Sequence, residues 1–374
     1  MSGRRSERRL TRSLYAMAAV AAVMVLAFAY SHPVHRVAHI TTAAAQADEG
    51  GPIADAPINE PAGAPGHAGL SGRRLAVAAA PAAAYDVAPL VHPTGKKYLG
   101  VAIPDAPASM TNYAAFVRAS GTRPSLITEY LAFGYPFDSV GAANAYDAGA
   151  MMMIQWEPVG YSLTGIGEGR YDNYITTFAK TVRSVDLPVV ISFGHEMNGG
   201  WYSWGSSGNT AASFVAAWRH IHDLFAKVGA TNVIWLWDAN VTYTDPDVPL
   251  EPLYPGDSYV DWVGLTGYYH QNTGEGGRTT FETLFTPSAD QIRTFTDKPL
   301  LIAETAAAPG PLKAAEIRDL FTTIAAHDDL IGAVWFNYDK SGENETNWTF
   351  DSDPAAAAEF TRVAGQAPFV FTIH

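Results

Sequence analysis

The chain has 374 residues, 48% of them hydrophobic and 16% charged, which is enough for two average domains or for one large α/β barrel with flanking segments. Its formal net charge is −13, and because the first 47 residues carry six Arg and one Glu, the remainder of the chain stands at −18. This strongly acidic net charge argues against binding to nucleic acid, which relies on basic patches. The chain has no cysteine, so it forms no disulfide and has no thiolate nucleophile.

Residues 1–47 have the pattern of an export signal. Five arginines between Arg4 and Arg12 precede an apolar run from Leu14 to Tyr30. Ala45-Gln46-Ala47 resembles a cleavage site, although it lies far beyond the apolar run. A cleaved signal peptide and an uncleaved membrane anchor both stay open as interpretations. Either one predicts that the rest of the chain is secreted or held outside the cytoplasmic membrane, because the arginines stay inside.

Residues 48–96 are rich in Ala, Pro and Gly and have almost no aromatic residues. Such a segment buries too little apolar surface to offset the entropy lost on ordering. The composition therefore predicts a flexible linker between the signal and a single domain that spans residues 97–374.

In residues 97–374, short apolar runs alternate with longer amphipathic stretches. The apolar runs predict eight strands, at Tyr98–Ile103, Leu126–Leu131, Met151–Gln155, Val189–Phe193, Val233–Trp237, Trp262–Thr266, Leu300–Ala303 and Ala333–Phe336. Helices are predicted near residues 110–120, 138–148, 171–185, 210–228, 280–296, 312–328 and 354–363, with a long loop at 239–258. This alternation predicts an α/β fold, a (β/α)8 TIM barrel. A doubly wound open sheet is the competing architecture, but no Gly-rich phosphate-binding fingerprint follows the first strand.

Two of these strands lead into a glutamate. Glu196 is predicted to end strand 4 and Glu304 to end strand 7, and the carboxyl ends of all barrel strands meet at one face. Two carboxyl groups at one site indicate hydrolysis of a glycosidic bond with retention, in which one protonates the departing oxygen and the other attacks the anomeric carbon. Trp201 and Trp204 offer flat faces for sugar rings and an apolar wall that would raise the pKa of the Glu196 carboxyl.

The segment His195-Glu196-Met197-Asn198-Gly199, with Trp201 and Trp204 after it, resembles the acid/base motif of glycoside hydrolase family 26, the β-mannanase family. Residues 232–240 and 254–264 are similar to the family's strand 5 and strand 6 regions, and the resemblance covers roughly residues 97 to 365. It implies that Glu196 is the general acid/base and Glu304 the nucleophile, oriented by Tyr268. It also implies that Trp201 and Trp335 stack on sugar rings. The predicted substrate-binding residues are His195, Trp201, Tyr268, Trp335, Asn240 and Trp156.

The chain departs from the family's pattern at two places, and both bear on the substrate. Thr266 stands where members often carry Asp, and Asp238-Ala239-Asn240 stands where Ser-Pro often precedes the Asn. The resemblance predicts β-1,4-mannan or a related mannose-containing polysaccharide as substrate. The same mechanism on β-1,3-xylan, mixed-linkage β-glucan or a bacterial exopolysaccharide, and a non-catalytic polysaccharide-binding barrel, stay open as alternatives. Endo and exo action are likewise both open.

No metal or cofactor is predicted. The residue four positions after His195 is Gly199, so the His-Glu pair lacks the second histidine of a zinc-binding helix. The acids at 343–345 and 351–353 are more typical of solvated loops than of calcium ligands. Glu157 at the end of strand 3 has two open interpretations, a cleft-lining residue and a structural one. The predicted partner is the polysaccharide alone, bound by a monomer.

Overall fold

The computed structural model describes residues 85–242, 248–270, 279–343 and 345–374, so the predicted signal and most of the predicted linker lie outside the described residues. Eight parallel strands pair in chain order, and the last strand pairs with the first, which closes a barrel. The strands are β1 Tyr98–Ala102, β2 Leu126–Ala132, β3 Met151–Glu157, β4 Val189–Phe193, β5 Val233–Asn240, β6 Trp262–Thr266, β7 Leu300–Thr305 and β8 Leu330–Phe336. The predicted (β/α)8 TIM barrel is confirmed.

Helices pack around the barrel, and two short ones were not predicted: one at 88–91, inside the predicted linker, and one at 163–167. The helices are α1 Ala88–Val91, α2 Thr111–Ser120, α3 Ser139–Asp147, α4 Leu163–Gly167, α5 Asp172–Val185, α6 Ala211–Val228, α7 Phe281–Leu284, α8 Thr286–Arg293, α9 Lys313–Ala326 and α10 Pro354–Ala364. The helix predicted at 280–296 is two helices, because Pro287 begins a new one at α8. Within the described ranges, no helix is both long and apolar enough to cross a membrane.

Alternation along the strands divides their side chains between the barrel interior and the layer under the helices. On β3, the amide Nε2 of Gln155 reaches Asp238 of β5 inside the barrel, 3.0 Å away, whereas the next residue, Trp156, stacks on Phe178 of α5 with ring centroids 4.4 Å apart. On β8, the ring of Trp335 likewise packs outward. The amphipathic helices supply the other half of this apolar layer.

The alternation places two of the predicted sugar-binding tryptophans in the core. Trp156 and Trp335 are 0% and 1% exposed. The indole of Trp335 contacts Phe360 of α10 and donates its N–H to the backbone oxygen of Trp348, 3.2 Å away. The prediction that these two residues contact the substrate is therefore wrong, because each points to the helix side of its strand.

Candidate active site

Glu304 lies at the carboxyl end of β7, at the open face of the barrel that we call the mouth. Leu265 of β6 pairs with Ile302 and Thr266 pairs with Glu304, so Ala303 is an extra residue on β7. A bulge of this kind redirects the side chain that follows it. Glu304 is 3% exposed, and its side chain enters the hydrogen-bonded cluster described next.

Two tyrosine hydroxyls hold the carboxyl group of Glu304. Tyr130 of β2 donates to one oxygen, and Tyr268, just after β6, donates to the other. Burial raises the pKa of Glu304 above its ordinary value, while the two tyrosines and the charge of Lys340 act in the opposite direction. The donors thus stabilise the ionised form of a buried carboxyl, which is the form that a nucleophile needs.

Glu196 lies in a sharp turn beyond β4. The strand ends at Phe193, so the prediction that Glu196 is a strand-terminal residue is wrong by three positions. Gly194 and Glu196 both have left-handed backbone conformations, with φ of 60° and 53°, and the N–H of Glu196 donates to the backbone oxygen of Asp238, 2.8 Å away. A non-glycine residue in this region is strained, and such strain concentrates at functional sites.

The side chain of Glu196 is held by two donors from different segments. Trp201 Nε1 donates to Oε2 over 2.9 Å, and the Asn240 amide donates to Oε1. Asn198 fixes the backbone of Asn240. Its side-chain Nδ2 donates to the Asn240 backbone oxygen and its Oδ1 accepts from the Asn240 backbone N–H, each over 2.8 Å. The turn after β4 is therefore clamped to the end of β5.

Glu196 and Glu304 have different electrostatic environments. Burial and, next, the charge of Glu304 raise the pKa of Glu196 to about 7, and the hydrogen bonds from Trp201 and Asn240 only partly offset this rise. Glu196 therefore retains a proton close to neutral pH. A protonated carboxyl near a carboxylate is the combination that retaining glycoside hydrolysis requires.

Aromatic side chains line the mouth around the two glutamates. His195 is 1% exposed, and its ring lies 5.1 Å from Tyr202 and 6.2 Å from Tyr130 between centroids. Across the mouth, the Trp348 ring lies 4.7 Å from that of Tyr268. His195, Trp201, Tyr268 and Asn240, all predicted as substrate-binding residues, thus lie within the same cluster as the two glutamates.

Sequence reasoning missed several residues of the site. Tyr130 and Trp348 come from segments with no motif, and the alternation of β2 is the one signal that points Tyr130 inward. Asp238 lies buried inside the barrel, where Gln155 Nε2 donates to it over 3.0 Å and the Thr266 hydroxyl lies 3.3 Å from both carboxyl oxygens. Burial raises the pKa of Asp238 well above its usual range. This hydrogen-bonded network holds the segment of β5 whose Asp238 backbone oxygen accepts from the N–H of Glu196.

Two residues of the segment 351–353, considered above for calcium, have other contacts. Asp353 caps α10 by accepting from the N–H of Ala356, 2.9 Å away, and Ser352 accepts from the Lys313 ammonium over 2.9 Å. In the described part of the chain, no group of three or more His, Asp or Glu side chains is arranged to hold a metal ion.

A (β/α)8 barrel with this pair of carboxyl groups at its mouth has the arrangement that glycoside hydrolases use. The sequence profile of glycosyl hydrolase family 26 matches residues 168–316, and the chain belongs to that family. The match includes both Glu196 and Glu304.

Two sequence relatives and one solved structure show how the family resemblance is distributed. The chain is 33% identical over 261 residues to Endoglucanase H of Acetivibrio thermocellus, a match that spans 67% of this chain and 28% of that protein. It is 30% identical over 173 residues to the β-1,3-xylanase TXYA of a Vibrio species, spanning 44% of this chain and 34% of that protein. The chain thus spans about a third or less of the length of these relatives.

The solved structure is that of a double mutant of the endo-β-1,4-mannanase of Cellulomonas fimi. It superposes with a TM-score of 0.56 at 15% identity, over 76% of this chain and 74% of the other. At this identity the likeness shows the barrel fold.

Proposed function

We propose that this protein is a retaining endo-glycosidase that hydrolyses β-1,4-mannan or a related mannose-containing polysaccharide. The observation that carries the proposal is the unequal environment of the two carboxyl groups. Glu196 keeps a proton because it is buried near a negative charge, and Glu304 is held by two hydroxyl donors that favour its ionised form. The acid and the nucleophile of retaining hydrolysis need these two states.

In the first step, an oxygen of Glu304 attacks the anomeric carbon and forms a covalent glycosyl-enzyme. The bond from that carbon to the departing sugar oxygen breaks, and Glu196 donates its proton to this oxygen. The hydrogen bonds from Tyr130 and Tyr268 position the Glu304 carboxylate for the attack.

In the second step, Glu196 is a carboxylate and takes a proton from a water molecule. The water oxygen attacks the anomeric carbon, the bond to Glu304 breaks, and Glu196 is protonated again. Two displacements at the same carbon leave its configuration unchanged. Trp201 offers a sugar-stacking surface at the acid because it is half-buried and hydrogen-bonded to Glu196. His195 and Asn240 complete the proposed substrate-binding set.

A mixed-linkage β-glucan is the second candidate substrate. Endoglucanase H matches this chain over 261 residues, which favours a glucan, and the match to the Vibrio enzyme keeps β-1,3-xylan in the comparison. Thr266, which departs from the family's usual Asp, is the feature of this chain that supports a substrate other than plain mannan.

The test is hydrolysis of soluble galactomannan, mixed-linkage β-glucan and β-1,3-xylan, followed by viscosity and by proton NMR of the products. We expect a rapid fall in viscosity with the β-anomer formed first, and a loss of about 10²–10⁴-fold in kcat for Glu196→Gln on polymer. Glu304→Gln is expected to lose at least as much. An α-anomer as first product would contradict retention, and full activity in both variants would overturn the assignment of the two glutamates.

We also propose that the chain consists of a signal or anchor at 1–47, a linker at 48–96 and the catalytic domain at 97–374, with the domain outside the cytoplasmic membrane. The arginines and the apolar run of the first segment support this. Fractionation of cells that express the full chain, with mass spectrometry of the mature N-terminus, tests it. A barrel retained in the cytoplasm would contradict it.

A further inference from the structure

Glu157, the last residue of β3, is a third carboxyl at the mouth that the two catalytic steps do not use. Its neighbour Trp156 faces α5, and Gln155, two residues earlier, points into the barrel toward Asp238. Alternation therefore directs Glu157 inward, on the same side as Gln155 and one level closer to the mouth. The residue is 8% exposed, and the charges of both Glu304 and Glu196 act on it.

The protein itself supplies no hydrogen-bond partner for this carboxyl group. Glu196 and Glu304 each accept from two side chains, whereas within the described ranges no side chain and no backbone group hydrogen-bonds the Glu157 carboxyl. The Glu157 oxygens are nevertheless not among the enclosed polar atoms that lack a partner in the described residues, so they reach open space at the mouth. The position therefore suits a group that meets its partner in a ligand.

The ionisation state of Glu157 limits what that ligand can be. Burial, followed by the charges of Glu304 and Glu196, raises the pKa of Glu157 to about 8. At neutral pH the group is a carboxylic acid, with one O–H donor and a carbonyl acceptor. A sugar hydroxyl also donates once and accepts, so the two groups are complementary.

We propose that Glu157 is a third substrate-binding carboxyl, which hydrogen-bonds one hydroxyl of the neutral sugar seated against Glu196 and Glu304 and selects among polysaccharides by the position of that hydroxyl. This inference rests on the proposed function and deepens it. A uronic acid sugar at the same place is disfavoured, because its carboxylate would lie near the negative charge of Glu304.

Two substitutions at Glu157 and one matched control test the proposal. Glu157→Gln keeps a donor and an acceptor, and Glu157→Met keeps the approximate size without either. The control is Glu129→Met on β2. Glu129 is also a largely buried carboxyl whose pKa burial raises to about 8, and its Oε2 has no partner. Glu129 directly precedes the inward-facing Tyr130 on β2, so its side chain lies on the opposite face of the strand and points away from the mouth.

On the best polysaccharide, we expect Glu157→Met to lower kcat/KM by about 10–100-fold, because one hydrogen bond to the substrate is lost. Glu157→Gln should stay within about threefold of the unsubstituted protein, and Glu129→Met should leave kcat/KM unchanged. Tm should not fall in Glu157→Met, since no hydrogen bond within the protein is broken. A lower Tm with a proportionate loss of activity in both Glu157 variants would indicate a structural role and overturn the proposal.

A second experiment identifies the hydroxyl. Aryl oligosaccharides of the best substrate, each lacking one hydroxyl of the sugar that forms the glycosyl-enzyme, are compared with the unsubstituted protein and with Glu157→Met. For one deoxy sugar, the loss of kcat/KM caused by the missing hydroxyl and the loss caused by Glu157→Met should not add, because either change alone removes the same hydrogen bond. If the losses add for every deoxy sugar, Glu157 contacts none of these hydroxyls and the inference is wrong.

The failure of the proposed function is distinguishable from the failure of this inference. If the unsubstituted protein hydrolyses every polymer poorly, its affinity for manno-, gluco- and β-1,3-xylo-oligosaccharides is measured by calorimetry. Weaker binding in Glu157→Met than in Glu129→Met supports the inference without catalysis, and equal binding overturns it. If the unsubstituted protein is active and Glu157→Met equals it on all three polymers, only the inference about Glu157 fails.

Discussion

The indole Nε1 of Trp201 donates a hydrogen bond to Oε2 of Glu196 over 2.9 Å. A donor of this kind favours the ionised carboxyl, so it opposes the burial and the Glu304 charge that raise the pKa of Glu196 to about 7. The proposed general acid acts only while it is protonated, so activity is lost as pH rises through this pKa. Trp201 is therefore expected to lower the upper pH limit of activity, in addition to its proposed contact with the substrate.

Replacing Trp201 by Phe should move that limit upward. Trp201→Phe keeps an aromatic face and removes the donor, so the pKa of Glu196 rises further and the alkaline limb of kcat/KM shifts to higher pH, by about 0.5–1 unit for one hydrogen bond. Trp204→Phe is the control, since the Trp204 indole donates to the backbone oxygen of His195. The measurement is kcat/KM against pH from 5 to 9. If the alkaline limb of kcat/KM stays at the same pH in Trp201→Phe, Trp201 does not influence the pKa of the general acid.

The two tyrosines on Glu304 should control the acid limb. Tyr130→Phe or Tyr268→Phe removes a donor to the carboxylate, which raises the pKa of Glu304. The nucleophile must be ionised, so activity at pH 5 should fall by about tenfold, with a smaller loss at pH 7.

Covalent labelling of Glu304 by an activated fluoro-glycoside, followed by intact mass against pH, isolates the first step from the second. Tyr269→Phe is the matched control because the Tyr269 hydroxyl lies 3.4 Å from Asp319, away from the mouth. Labelling that has the same pH dependence in all three variants would show that the tyrosines do not tune the nucleophile.

The barrel was predictable because each strand is a continuous apolar run between amphipathic segments, a signal that does not depend on distant residues. Glu196 and Glu304 were predictable for the same reason, since each lies at or within three residues of the end of such a run. Tyr130 was not, because it lies 174 residues from Glu304 in sequence and only barrel closure brings them together. Trp156 and Trp335 were misassigned because their sequence position near a strand end does not say to which side of the strand they point.

The departure at Thr266 also has a structural explanation that the sequence did not reveal. The Thr266 hydroxyl lies 3.3 Å from the carboxyl oxygens of Asp238, on the neighbouring strand. The two departures from the family's pattern, Thr266 on β6 and Asp238 on β5, are therefore in direct contact with each other.

This contact predicts the effect of placing an acid on β6. Thr266→Asp puts a second carboxyl against buried Asp238 and should cost about 1–3 kcal/mol, or ~2–4 °C in Tm for each kcal/mol. Asp238→Ser combined with Thr266→Asp moves the acid to β6 and should recover most of the lost Tm. The measurement is thermal unfolding of the two single variants and the double variant at pH 7. Strictly additive changes in Tm would show that the two positions do not interact.

Substitutions at Trp335, Trp156 and Trp201 distinguish a structural role from a substrate-binding role. Trp335→Phe removes the indole N–H that the buried oxygen of Trp348 accepts and leaves a small cavity against Phe360, which should cost about 1–3 kcal/mol of unfolding free energy. Trp156→Phe weakens the stack on Phe178 and should lower Tm in the same way. Both variants should keep kcat/KM within about threefold, since both rings lie under the helices. Trp201→Ala is the contrast, because Trp201 is half-buried at the mouth and should lose kcat/KM with little change in Tm. A larger loss of kcat/KM in Trp335→Phe than in Trp201→Ala would indicate that Trp335 contacts the substrate and would contradict its place in the core.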